Sequence, residues 1–262
     1  MECMIIKCKI VTPLLMHGAD GKSAELREQS FKGVMRFWWR AIHGNLDLEA
    51  LKKEEAKIFG NKEQKSSFRI KMNNKNLNDN EFNPLPHKNS KFKINGFSSN
   101  QNFEITFLGE NLNLVKNIFI LSTILGGFGQ RSRRGFGSIK VISVNNENFD
   151  FNYSKESINA FIKKINTDFT TKDNSENFKS FKKFPYIKSI DIGKNYSNYN
   201  DLLRKIGEAT HKFSCFGSAN PRFASPVYVT INKNNNQYVP IITSFNGRGC
   251  WKNFNDFKKE VL

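Results

Sequence analysis

One junction constrains this chain more than any other stretch. NLNLVKNIFILSTIL is an apolar helix closed by Gly126 and Gly127, and FGSIKVISV, a β-branched strand, follows at once. Between them runs GGFGQRSRRGFGSIKV, from Gly126 to Val141, with five glycines and three arginines. A turn needs one or two glycines and none of Arg131, Arg133 and Arg134. Glycine lets a backbone approach a ligand closely and reach positive φ, which presents consecutive N–H groups to an anion. Arginines on such a loop grip phosphates in bidentate fashion and stack on bases. The spacing fits neither the P-loop, which needs Gly-Lys-Ser/Thr, nor G-x-G-x-x-G, which follows a strand and opens a helix. Here the loop follows a helix and opens a strand, so RNA is the expected target, with Gly127, Gly129 and the three arginines as its ligands and no cofactor. RGFGSIKV half matches an RNA-recognition-motif consensus, but Ser138 and Val141 stand where that motif needs stacking aromatics. We reject that match.

The elements around the junction set the architecture. MIIKCKIVTP alternates and stops at Pro13, as a strand does, and SFKGVMRFWWRAIHG has helical spacing with Ser30 as the expected N-cap. LDLEALKKEEAKIFG continues as a helix to Gly60, and SSFRIKM and NFEITFLG read as strands. The order is β-α-β-β-α-β, a ferredoxin-like (RRM-like) unit over residues 1–145. The Asn-, Lys- and Pro-rich stretch from Asn73 to Gln101 reads as a long mobile insertion. SKESINAFIKKI is an expected helix beyond the boundary. FPYIKSIDIG, YNDLLRKIGEATH, SPVYVTINK, QYVPIITSF and WKNFNDFKKEVL then read β-α-β-β-α. The expectation is an α+β protein of two ferredoxin-like domains packed together, the second (146–262) degenerate, its last strand missing or displaced.

Charge narrows the partner. The 262 residues carry 41 Lys and Arg against 24 Asp and Glu, a net charge of +17, while 25 phenylalanines mark a folded chain. A protein this basic pairs with a polyanion, and nucleic acid is the first candidate. The four cysteines form no C-x-x-C pair and suit buried thiols in a reducing compartment. The N-terminal MECMIIKCKIVTPLLM is too short and too interrupted by lysine for a signal or membrane span. The expected setting is therefore cytoplasmic, without a membrane partner.

A second constellation is GADGKSAELREQSFKGVMRFWWR. In a helix beginning near Ser30, Lys32, Arg36 and Arg40 form one basic stripe, and Lys22 and Arg27 extend it past the helix N-terminus, where phosphate is favoured. Trp38 and Trp39 are not expected to share the core: one packs under the sheet, and the other covers the stripe or stacks on a base. The four histidines have no metal-ligand spacing. His17 stands where a general base for RNA cleavage would sit, with Lys22 or an arginine on the phosphorane and Asp20 able to position a metal or hydroxyl, but a lone histidine in a glycine-containing loop is more often structural, and no catalytic residue is assigned. In the second half, HKFSCFGSANPRFASPVYV repeats a basic turn leading onto a strand, with Arg222 at its centre.

IVTPLLMHGADGKSAELREQSFKGVMRFWWRAI together with LGGFGQRSRRGFGSI resembles the RAMP superfamily of CRISPR-associated RNA-binding proteins. The double-tryptophan helix and the ADGK…ELR loop are most similar to the first-subunit family of the Cmr module, from the type III-B effector complex. The resemblance is dense over 10–42 and 125–141 and returns at NPRFASPVYV. The Asn-rich insertion and residues 145–180 match nothing in it. It implies two ferredoxin-like domains and a non-catalytic subunit near the 3′ side of a guide RNA that helps capture target single-stranded RNA beside other effector subunits. Its RNA-facing positions are Lys22, Arg27, Lys32, Arg36, Arg40, Arg131, Arg133 and Arg134. The alternative is a metal-independent RAMP endoribonuclease that processes guide RNA.

Overall fold

The structure, a computed structural model, describes residues 2–73, 77–88, 90–171, 185–213, 217–219, 222–246 and 251–262. Strand β1 (Glu2–Ile10) buries Met4, Ile6, Cys8 and Ile10 and turns the residues between them outward, the two-residue period its sequence carries. Helices α1 (Glu28–Ala41) and α2 (Leu48–Phe59) follow. The chain then forms β2 (Phe68–Asn73), the short β3 (Asp79–Phe82) and β4 (Ile94–Phe97), and β5 (Asn102–Gly109). Next come α3 (Leu112–Leu125), β6 (Ile139–Val144) and the two-residue β7 (Glu147–Asn148). These strands make a five-stranded sheet in the order β2-β5-β1-β6-β7, antiparallel throughout, with Ile6 opposite both Ile105 and Val144.

The second half comprises α4 (Lys155–Lys163), β8 (Ile187–Ile192) and α5 (Tyr199–Lys212). The short β9 (Ser218–Ala219) and β10 (Arg222–Phe223) pair with each other, and β11 (Val227–Asn234), β12 (Gln237–Phe245) and α6 (Phe254–Val261) complete the chain. Strands β11, β12 and β8 form an antiparallel sheet in that order. β11 and β12 are buried on both faces, which is why they read as continuous apolar runs rather than as alternation. Tyr228, Ile241 and Phe245 join the core of the first sheet, whereas Val227, Val229, Ile231 and Ile242 join a second core with Leu202, Ile206 and Phe257. Helix α3 packs against β5 and β6 on one side and β11 on the other, which buries nearly its whole circumference. Helix α4, capped by Ser154, adds Ile158, Phe161 and Ile162 to the first core.

Three expectations are corrected. Helix α1 begins at Glu28, with Arg27 as its N-cap and no side-chain cap, rather than at Ser30. The insertion is not a featureless loop. Its strands β3 and β4 pair, Leu14 and Phe97 exchange both backbone hydrogen bonds at 3.0 Å, and Phe82 and Ile94 pack against the second core. Trp38 and Trp39 are both buried, at 0% and 3% exposure, because α1 is covered on two flanks. Trp38 meets Tyr228 and Phe245, while Trp39 stacks on His43 and approaches Phe59 of α2. No described helix is long and apolar enough to cross a membrane.

Candidate nucleic-acid interface

The glycine-rich loop is closed on itself and on the segment that follows β1. Phe128 N–H donates to Gly137 O at 2.9 Å, Gln130 N–H to Leu15 O at 2.7 Å, and Gly137 N–H to Pro13 O at 2.9 Å. A Cβ at Gly137 (φ +67°) would overlap the Phe128 carbonyl, and one at Gly129 (φ +79°) the Leu15 carbonyl. At Gly127 it would lie 2.6 Å from Phe136 O. These glycines are required by close backbone packing within the protein. Gly127 and Gly129, expected as positions of ligand approach, are accounted for by these contacts inside the protein.

The three arginines divide. Arg133 donates to the Ser225 carbonyl and lays its guanidinium 4.9 Å from the Tyr228 ring and 5.8 Å from the Phe37 ring. Arg134 donates from Nη1 to Arg133 O at 2.9 Å and Val227 O at 3.2 Å. Burial, then the charges of Arg131 and Arg133, lowers its pKa to about 10, so it stays charged at neutral pH. Both therefore fasten the loop to β11 and the segment before it. Arg131 differs. It takes a left-handed backbone (φ +58°), is half-buried, and its Nε has no hydrogen-bond partner among the described residues. Burial lowers its pKa as well.

The stripe on α1 is likewise occupied. Glu55 of α2, 7% exposed, receives Arg40 Nη2 at 2.6 Å on Oε1 and Arg40 Nε on Oε2, and pairs with Arg36 Nε at 3.1 Å. Arg36 Nη2 also donates to Gly60 O at 2.6 Å, with its guanidinium over Phe59. Lys32 Nζ lies 4.7 Å from the Phe68 ring centre and 3.4 Å from Phe68 O. Burial, then Arg36, lowers the Lys32 pKa. Lys32, Arg36 and Arg40 thus face α2 and β2 rather than standing free, a correction to the expected outward stripe. Their spacing in α1 says nothing of a partner carboxylate on another helix.

Lys22 and Arg27 are exposed. Lys22 sits in a turn closed by Asp20, whose Oδ1 accepts from Lys22 N–H at 2.9 Å and Ser23 N–H at 3.0 Å. The Ser23 hydroxyl, then these two backbone donors, lowers the Asp20 pKa to about 2. His17 is held at both ring nitrogens: Nε2 donates to Asn95 O at 2.8 Å, and Nδ1 accepts from Gln130 Nε2 at 3.1 Å. An imidazole fixed this way is a brace between the insertion and the glycine-rich loop, and has no free nitrogen for proton abstraction. No His, Cys, Asp and Glu group suited to a metal occurs among the described residues. Beside His17 lies an open pocket of about 310 Å³ lined by Lys22, Gln130, Lys93 and Phe92 among others. The sequence reading missed Phe92 and Lys93. Their signal was a lone aromatic flanked by lysines, Lys91-Phe92-Lys93, inside a polar insertion. Arg222 falls on β10, and its side chain lies outside the described residues.

Two main antiparallel sheets with helix α3 between them carry this glycine-arginine loop, which is tied to the exit of the first strand. The chain belongs to the RAMP superfamily, whose model matches residues 7–140. Within that superfamily its homologues are Cmr1 subunits. It is 30% identical over 175 residues to CRISPR system Cmr subunit Cmr1-2 of Pyrococcus furiosus, spanning 52% of this chain and 94% of that one. It is 29% identical over 144 residues to Cmr1-1 of the same organism, 47% of this chain and 42% of that one. The crystal structure of apo Cmr1 from Pyrococcus furiosus superposes with a TM-score of 0.68 at 17% identity, covering 100% of this chain and 97% of that one. A chain of the type III-B Cmr-beta complex bound to cognate target RNA superposes with a TM-score of 0.65 at 12% identity, covering 99% and 98%. At such identities the superpositions show a shared fold.

Proposed function

We propose that this chain is a non-catalytic RNA-binding subunit of a type III-B CRISPR ribonucleoprotein, contacting guide RNA and helping to capture target RNA beside other effector subunits. We read its architecture as two ferredoxin-like units, 1–145 and 146–262. The order β2-β5-β1-β6 supports the first, and β11-β12-β8 a second without its fourth strand. The observation that carries the functional reading is a pocket lined by two exposed lysines, Lys22 and Lys93, together with Gln130. Arg131 follows Gln130 in the chain with its Nε unpartnered among the described residues, and Arg27 is exposed at the N-cap of α1. Lys32, Arg36, Arg40, Arg133 and Arg134 are engaged within the fold. The engaged nitrogens of His17 and the engaged carboxylate of Asp20 support a binding role over cleavage.

Anisotropy of labelled single-stranded RNA with the purified chain, in EDTA and across a salt series, tests this. Affinity is expected to fall by orders of magnitude from low to moderate salt as counterion release is lost, with the RNA left intact. Salt-independent affinity, or cleavage products, would overturn it.

A further inference from the structure

Among the described residues Ile5 and Phe92 are the large exposed hydrophobics, and Phe92 is 62% exposed. A single exposed phenylalanine is unremarkable by itself. This one stands at the rim of the pocket that His17, Lys22, Gln130, Lys93 and Glu81 also line. The pocket floor is fixed before any ligand arrives. His17 bridges Asn95 O and Gln130, Asn95 Nδ2 donates to Lys22 O at 3.1 Å, and Asp20 closes the turn that carries Lys22. A braced floor with two ammonium groups and one aromatic face suits a ligand that is part anion and part planar ring.

We propose that this pocket takes one nucleotide of a single-stranded RNA, its base stacked on Phe92 and its phosphate met by Lys22 and Lys93. The inference rests on the RNA-binding reading above and adds a base-binding site to it. At about 310 Å³ the cavity is at the small end of ligand pockets and holds one nucleotide. Glu81 supplies an acceptor for a base N–H and repels a second phosphate, so the pocket admits a base rather than a polyphosphate. A protein partner on the same rim would have to cover Lys22, Lys91 and Lys93, all exposed, beside the phenylalanine. The excess of positive charge over the whole chain, +17, favours the polyanion.

The site is tested with two probes of equal charge: a short labelled single-stranded RNA, and a matched oligomer of abasic ribose phosphates. The full chain is expected to bind the RNA at least about tenfold more tightly than the abasic oligomer, the scale of one stacked base. Phe92→Ala should remove that preference, leave the abasic affinity and the melting temperature unchanged, and be rescued by Phe92→Trp. Equal binding of both probes by the wild type would overturn the base site while leaving the RNA-binding reading intact. So would Phe92→Ala binding RNA as the wild type does, the result if Phe92 instead meets a protein neighbour. Failure of the wild type to bind either probe would overturn both readings.

Discussion

Glu55→Gln is the substitution that most sharply separates arginines that build this protein from arginines that meet its ligand. The wild-type carboxylate, on a residue 7% exposed, takes two hydrogen bonds from Arg40 and pairs with Arg36, whose side chain, like that of Arg40, is 35% exposed. Glutamine keeps the volume, but one acceptor becomes a donor aimed at guanidinium donors, and two positive charges lose their counter-charge. Removing one member of a buried ion pair costs about 3–5 kcal/mol. Water reaching the partly exposed guanidiniums reduces this, and about 2–3 kcal/mol is the expected loss. For a chain of this size each kcal/mol moves the melting temperature by about 2–4 °C, so a drop of about 4–12 °C should appear in a thermal melt. Adding Arg40→Met should recover part of it, because the loss comes from uncompensated charge rather than from the missing pair itself. A Glu55→Gln variant that melts with the wild type would refute the structural assignment and return Arg36 and Arg40 to the ligand.

Other outcomes follow from the same geometry. Arg134→Ala removes a buried charged donor from two carbonyls and should cost about 2–4 kcal/mol, read by denaturant unfolding; a cost near zero would show that the loop is held without it. Trp39→Ala should destabilise by about 3–5 kcal/mol, as a core truncation does, and a melt that barely moves would place Trp39 at a surface after all. Burial lowers the pKa of both His43 and His87. Each is neutral in the fold and takes up a proton more readily when unfolded, so their contribution is complete above about pH 6.5 and is lost as pH falls below it. Melting temperature should therefore decline on acidification from pH 7, with a shallower slope for His87→Asn; equal slopes would remove His87 from the account.

Local periodicity carried much of the architecture. The alternation Met4, Ile6, Cys8, Ile10 and the apolar length of α3 were readable because each is a repeat within one element. The loop from Gly126 to Gly137 announced itself, yet its purpose did not. Glycine wanted for ligand approach and glycine wanted for contact with Phe128 or Leu15 carry the same letter. The stripe on α1 misled for a similar reason, since Glu55 lies on another helix and its embrace of Arg36 and Arg40 has no local pattern. The hairpin β3–β4 was illegible because Asp79–Phe82 and Ile94–Phe97 have little alternation of their own. Their pairing is supported by Leu14 and by the second core.

The central claim is that RNA meets Lys22, Arg27 and Arg131, and that Arg36, Arg40, Arg133 and Arg134 serve the fold. The slope of log affinity against log salt for single-stranded RNA measures it most directly. Each phosphate contact contributes about 0.7 to that slope on a single strand, so Lys22→Ala, Arg27→Ala and Arg131→Ala combined should flatten it by about 2. Arg36→Ala at equal folded fraction should leave the slope as it is. A triple variant that keeps the wild-type slope, with Arg36→Ala flattening it instead, would contradict the account.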